Sequence, residues 1–231
     1  MVRALAESQV VVGYKRYLES ISDLTEGKEL IASGMTQEVE RCRQALRCAG
    51  SGQVVALVSS GDPGIYGMAG LALELAEAEN LHIPVQILPG VTAASAAAAA
   101  LGAPLMLDFA VISLSDLLIS WDVIRRRLEA VAGADLVVAL YNPRSRKRVR
   151  QLEEAAAIFR AVRPGQTPVG VVTAASQDEE SVILTDLDHL LEQKVGMSSM
   201  VIIGNSTTRR IDHWLVTTRG YNTDRPTDPP L

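Results

Sequence analysis

Cysteine, tryptophan and phenylalanine are scarce in this 231-residue chain, two of each, and aromatic residues make up only 4% of it. Cys42 and Cys48 stand six apart in one helical pattern, a spacing that suits neither a redox pair nor a metal knuckle, and two cysteines make no disulfide framework. His82, His189 and His213 are scattered, so no protein metal site is expected. No apolar run approaches the roughly 20 residues a membrane span needs. The amino terminus lacks a secretory signal's basic-then-apolar layout, and together these features predict a cytoplasmic protein with no membrane partner. A net charge of −5 argues against a general nucleic-acid binder. Glycines 61, 64 and 67 do not make the G-x-G-x-x-G fingerprint, and no G-x-x-x-x-G-K-[ST] loop occurs, which disfavours nucleotide-phosphate chemistry.

What is abundant is aliphatic. With 48% hydrophobic residues, the chain can bury a core as one domain or two small ones. Val10–Val12 and Val54–Val58 read as buried strands, Thr36 as the cap of a helix, Gly67–Ala78 as a helix, Val85–Leu88 as a strand and Thr92–Leu101 as an alanine helix. That alternation predicts a parallel-rich α/β lobe over 1–105. A second α/β lobe over 106–221 is built from strands at 109–114, 136–140, 168–172, 181–184 and 200–203, with helices at 121–131 and 149–162. The proline-rich stretch 222–231 reads as a disordered tail.

Two turns stand at carboxyl ends of hydrophobic runs, Ser59-Ser60-Gly61-Asp62-Pro63-Gly64-Ile65-Tyr66-Gly67 and Leu88-Pro89-Gly90-Val91-Thr92-Ala93-Ala94-Ser95. In open α/β sheets that is where small ligands bind, and glycine lets them approach the backbone. Asp62 could accept from ribose hydroxyls or neutralise an ammonium group, or it could simply start a helix as Asp-Pro pairs do. The small side chains after Thr92 could take a flat ligand, or could pack closely on a sheet. The segment Tyr141-Asn142-Pro143-Arg144-Ser145-Arg146-Lys147-Arg148-Val149-Arg150 packs five cations into its last seven positions. Basic runs are usually solvated faces, yet this one follows a strand end and suits a polyanionic substrate, with Lys15 and Arg16 as further cations.

Several of these segments, with Gly-Tyr-Lys at 13–15, Leu-Gly-Ala-Pro-Leu-Met at 101–106, Ile-Ser-Leu-Ser-Asp-Leu-Leu at 112–118, Tyr-Asn-Pro-Arg-Ser-Arg at 141–146 and Met-Ser-Ser-Met-Val-Ile-Ile-Gly-Asn-Ser-Thr-Thr at 197–208, resemble the tetrapyrrole methylase family. Within it they resemble the precorrin-3B C17-methyltransferases of cobalamin biosynthesis. The resemblance runs through nearly the whole chain to Tyr221. It implies a two-lobed α/β fold with the active cleft between the lobes, a homodimer, and S-adenosylmethionine as cofactor. The reaction it implies is C17 methylation with ring contraction of a tetrapyrrole substrate.

By the same resemblance, Ser60, Gly61, Asp62, Ile65, Thr92, Ala93, Tyr141, Ala174 and Ser199 would contact the cofactor. Lys15, Ser113, Ser115, Asp116, Arg144, Arg146 and Lys147 would contact the substrate, and no metal ligand or catalytic acid–base is implied. The family's first strand and glycine-rich loop have no counterpart before Val10, and a strand encoded upstream is expected. The alternatives are a tetrapyrrole methylase acting at another carbon and a non-catalytic tetrapyrrole binder.

Overall fold

The computed structural model describes residues 1–221, so the expected tail at 222–231 lies outside the described residues. The chain divides into two compact units, the first ending at Thr92 and the second beginning at Ala93. The alanine helix thus packs with the second unit, although the sequence changes texture only after it.

In the first unit, α1 (Val2–Glu7) leads into β1 (Val10–Tyr14), α2 (Lys15–Glu19), β2 (Glu29–Ser33), α3 (Glu38–Gly50), β3 (Val55–Val58) and α4 (Ala69–Ala78). The three strands form a parallel sheet in the order β2-β1-β3. Side chains alternate across it as strand geometry requires. Val11 packs with Leu5 and Leu18 on one face, while Val10 and Val12 pack with Ala45 and Ile31 on the other.

Three helices end alike. A left-handed residue, Gly52, Asn80 or Asp135, follows each, and the next N–H returns to a carbonyl five residues back, as Leu81 does to Ala76 and Leu136 to Val131.

Two expectations fail in this unit. Thr36 does not cap α3, whose N-cap is Gln37; Thr36 sits at φ 61° with its hydroxyl on the Met35 carbonyl. The Gln37 side chain accepts from the Gly34 N–H at 2.9 Å, so the turn is organised by the amide rather than by the hydroxyl. Val85–Leu88 is no strand. Hydrophobic alternation cannot supply a ladder partner, and among the described residues neither this segment nor the outer edge of β3 has one. β2, with only Ile31 and Ser33 half-buried, lacked a legible strand signal.

The second unit holds α5 (Ala93–Leu101), β4 (Gly102–Ala103), β5 (Phe109–Ser113), α6 (Trp121–Gly133), β6 (Val137–Tyr141), α7 (Arg150–Arg160), β7 (Pro168–Thr173), β8 (Ser181–Asp186), β9 (Ser199–Ile203), β10 (Thr208–Ile211) and β11 (Trp214–Thr217). Its main sheet runs β5-β6-β9-β7-β8, parallel only between β5 and β6, and β10-β11-β4 form a small second sheet. The period of two sorts the core. Val138 and Leu140 join Ile124, Leu128, Leu152 and Phe159 beneath α6 and α7, while Val137 and Ala139 join Ala94, Ala97, Ala98 and Leu101 of α5. The alanines let α5 lie close to the sheet, and Gly170 of β7 gives Leu101 its room, since a Cβ there would collide with the Leu101 side chain. Among the described residues no helix is long and apolar enough to cross a membrane.

Candidate functional site

The register of the second sheet gathers several candidates at one end. β5 and β6 finish there in Ser113 and Tyr141, β7 finishes in Thr173 next to Ala174, and antiparallel β9 begins there at Ser199. Ser199 is buried and fully used. Its hydroxyl bonds Thr173 at 2.8 Å and accepts from the Gly196 N–H at 3.0 Å, while Ala174, at φ 52°, donates to the Ser198 carbonyl. The Tyr141 hydroxyl accepts the Ala94 N–H at 2.9 Å, pinning the start of α5, whose first residue is Ala93, over the end of β6.

In the first unit the turn after β3 carries Ser60, Gly61, Asp62 and Ile65, and it is joined to the turn that leads to Thr92. Asp62 makes the join: one carboxylate oxygen accepts from Gly64 N–H at 2.8 Å and the other from Gly90 N–H at 3.0 Å. The Gly90 bond first, then that of Gly64, holds the Asp62 carboxyl below the usual carboxylate range. Gly90 must be glycine because a Cβ would collide with the Gly61 carbonyl, and Gly61 itself sits at φ 71°. Asp62 was expected to meet a ligand. In the structure its two oxygens organise the turns, and Ser60, Gly61 and Ile65 are exposed residues beside them, with the Ile65 N–H donated to the Asp62 carbonyl.

A second cluster carries the substrate candidates of the second unit. Ser113 Oγ accepts from Asn142 Nδ2 at 3.0 Å and from the Ser115 N–H at 3.2 Å, and Asp116 accepts from Gln151 at 2.8 Å. The loops after β5 and β6 are thereby knitted together. Arg148 bonds the Asn142 carbonyl and Arg150 faces Glu154 at 3.9 Å. Arg144, Arg146 and Lys147 form no ion pair among the described residues, unlike Arg125 of α6, which lies near Asp122 and Glu129. Lys15 lies in the other unit, exposed at the start of α2. Asn142, which the sequence reading did not single out, holds this cluster through Ser113 from a left-handed φ of 49°, a conformation that asparagine tolerates.

A family model for tetrapyrrole (corrin/porphyrin) methylases matches residues 1–191. The chain belongs to the tetrapyrrole methylase family. This tetrapyrrole methylase is 48% identical over 220 residues to the probable cobalt-factor III C(17)-methyltransferase of Salmonella typhimurium, covering 95% of the chain and 91% of the relative. It is 40% identical over 212 residues to the precorrin-3B C(17)-methyltransferase of a Sinorhizobium species, covering 90% and 83%. Among solved structures it resembles the methyltransferase CobJ, with a TM-score of 0.88 and 37% identity over 94% of this chain and 91% of that one. Two further relatives, 43% and 45% identical, are longer, and the methylase spans 44% and 63% of their lengths.

In each unit taken by itself the candidate residues suit part of an S-adenosylmethionine-type ligand: in the first, the exposed glycine-containing turn at 60–65 can receive an amino-acid or ribose group, and in the second, the small side chains that open α5 can lie against a flat base.

Proposed function

We propose that this methylase transfers a methyl group from S-adenosylmethionine to C17 of precorrin-3B, or of its cobalt-containing counterpart, with contraction of the macrocycle, in cobalamin biosynthesis. The observation that carries the reading is identity of 48% across 95% of the chain to a relative named for that reaction. On the same reading it works in the cytoplasm as a homodimer.

The cofactor supplies an electrophilic methyl on a sulfonium. Transfer to an electron-rich ring carbon is an in-line displacement, so the protein's task is to align the partners and exclude water. On this reading Ser60, Gly61, Ile65 and Thr92 of the first unit and Ala93 and Ala174 of the second contact the cofactor, while Asp62, Tyr141 and Ser199, whose oxygens are taken up within the protein, act indirectly by holding the backbone around them. Ser113, Ser115 and Asp116 line the substrate position, and Lys15, Arg144, Arg146 and Lys147 neutralise its carboxylates. No side chain needs to act as a catalytic acid or base in the transfer itself.

The test is incubation with methyl-labelled S-adenosylmethionine and the tetrapyrrole, with and without cobalt, followed by mass and NMR analysis. Label at C17 supports the reading, and label at another carbon assigns the protein to a different branch of the family.

A further inference from the structure

The cavity at the carboxyl ends of β1 and β2 measures about 500 Å³ and is lined by Tyr14, Lys15, Arg16, Ser33, Gly34 and Gln37 among others, none of them acidic. Lys15 approaches Glu19 only at 3.9 Å, between exposed groups, a contact of little energetic weight. Arg16 forms no ion pair among the described residues. Behind the wall is a third cation. Arg41 of α3 is almost fully buried, and its guanidinium donates to Ser33 Oγ at 2.6 Å, to the Gly34 carbonyl at 2.6 Å and to Met68 Sδ at 3.3 Å, with the Tyr14 ring centroid 5.9 Å away. None of these partners is a carboxylate. Elsewhere on α3 the exposed arginines are matched, Arg43 with Glu79 and Arg47 with Glu40.

A buried guanidinium without a counter-charge leaves a desolvation cost that a nearby anion would offset. Low-dielectric walls focus its field toward the cavity bounded by its own hydrogen-bond partners. We infer that this cavity is a carboxylate pocket that receives one acid side arm of the tetrapyrrole, with Lys15 and Arg16 at its rim and Arg41 as the fixed charge behind it. The inference rests on the proposed substrate class, gives Lys15 and Arg16 a shared place in it and adds Arg41. Arg41 is a positioning residue, since it sets the Ser33–Gly34 wall and reaches the ligand only through its field.

The probe is uroporphyrin, a stable octacarboxylic tetrapyrrole, compared with its uncharged octamethyl ester in fluorescence titrations. Arg16→Gln should weaken uroporphyrin binding about tenfold, flatten its salt dependence and leave the ester unaffected. It should also leave affinity for S-adenosylhomocysteine within about twofold, because among the described residues Arg16 makes no hydrogen bond or ion pair with either turn. Arg41→Met should weaken uroporphyrin at least as much while leaving the uncharged ester unaffected, and Arg41→Lys, which keeps the charge, should recover part of the loss; a purely structural arginine would cost the acid and the ester alike. Should Arg41→Met fail to fold, Arg16→Gln and Arg41→Lys still decide the matter. Equal uroporphyrin affinity in parent and Arg16→Gln across a salt series would overturn the pocket. A parent that binds uroporphyrin through these residues yet methylates no corrinoid precursor would overturn the proposed reaction and leave the pocket standing.

Discussion

At Asp62 a single carboxylate joins two turns that are 28 residues apart, accepting one N–H from each, and the whole cofactor assignment in the first unit depends on that join. Asp62→Ala should weaken S-adenosylhomocysteine binding in calorimetry, because the two turns lose the carboxylate that ties them together. Asp62→Asn, which keeps one acceptor oxygen, should lose less. Unchanged affinity in the alanine variant would remove Asp62 from the site. Gly90→Ala should do comparable harm, because its methyl collides with the Gly61 carbonyl and prises the turns apart. The carboxyl of Asp62 ionises more easily folded than unfolded. Its stabilising contribution is therefore present above the unfolded value of about 3.9 and disappears as pH falls through the lower folded value. At Arg144, Arg146 and Lys147, joint replacement by Gln should raise the tetrapyrrole dissociation constant and leave S-adenosylhomocysteine binding nearly untouched; equal tetrapyrrole affinity across a salt series would return the three to an ordinary solvated face.

The elements explain both what could be read from sequence and what could not. Strands β1, β6, β7 and β9 were legible because each is a run of aliphatic residues buried on both faces, and α5, α6 and α7 because their residues follow helical propensity and period. Val85–Leu88 has the same composition as a strand, but pairing is a property of neighbours, and composition carries no information about them. The turns at 61 and 90 could be placed at strand ends by their glycines, whereas the link from Asp62 to Gly90 crosses 28 positions and left no local mark.

Arg163 is a similar case. Just after α7, it is buried and donates to the carbonyls of Gly204 at 2.6 Å and Leu136 at 2.8 Å, stacking over Phe159, and burial lowers its pKa despite nearby Asp135. Arg163→Met should destabilise the protein by about 2–4 kcal/mol in urea unfolding, since it strips donors from buried carbonyls. A loss under about 0.5 kcal/mol would show that water replaces them. At the loop after β8, His189 Nδ1 lies 2.7 Å from Asp186, which raises the imidazole pKa. NMR titration should find it above the ordinary histidine value of about 6.5, with the pair's stabilisation complete below that value and lost as pH rises through the folded one. A His189 pKa at or below the ordinary value would show that the pair does not persist in solution.

Across the whole molecule, candidate cofactor residues fall in both units. Family membership and the close relatives agree with a C17 specificity, while the chemistry asks of the protein only placement, desolvation and charge neutralisation. The measurement that tests this most directly is single-turnover methyl transfer, followed as label passing from S-adenosylmethionine to a C20-methylated corrinoid precursor. The account predicts a ring-contracted product one methyl heavier with the label on C17. Binding of both ligands without label transfer, or label at another carbon, would contradict it.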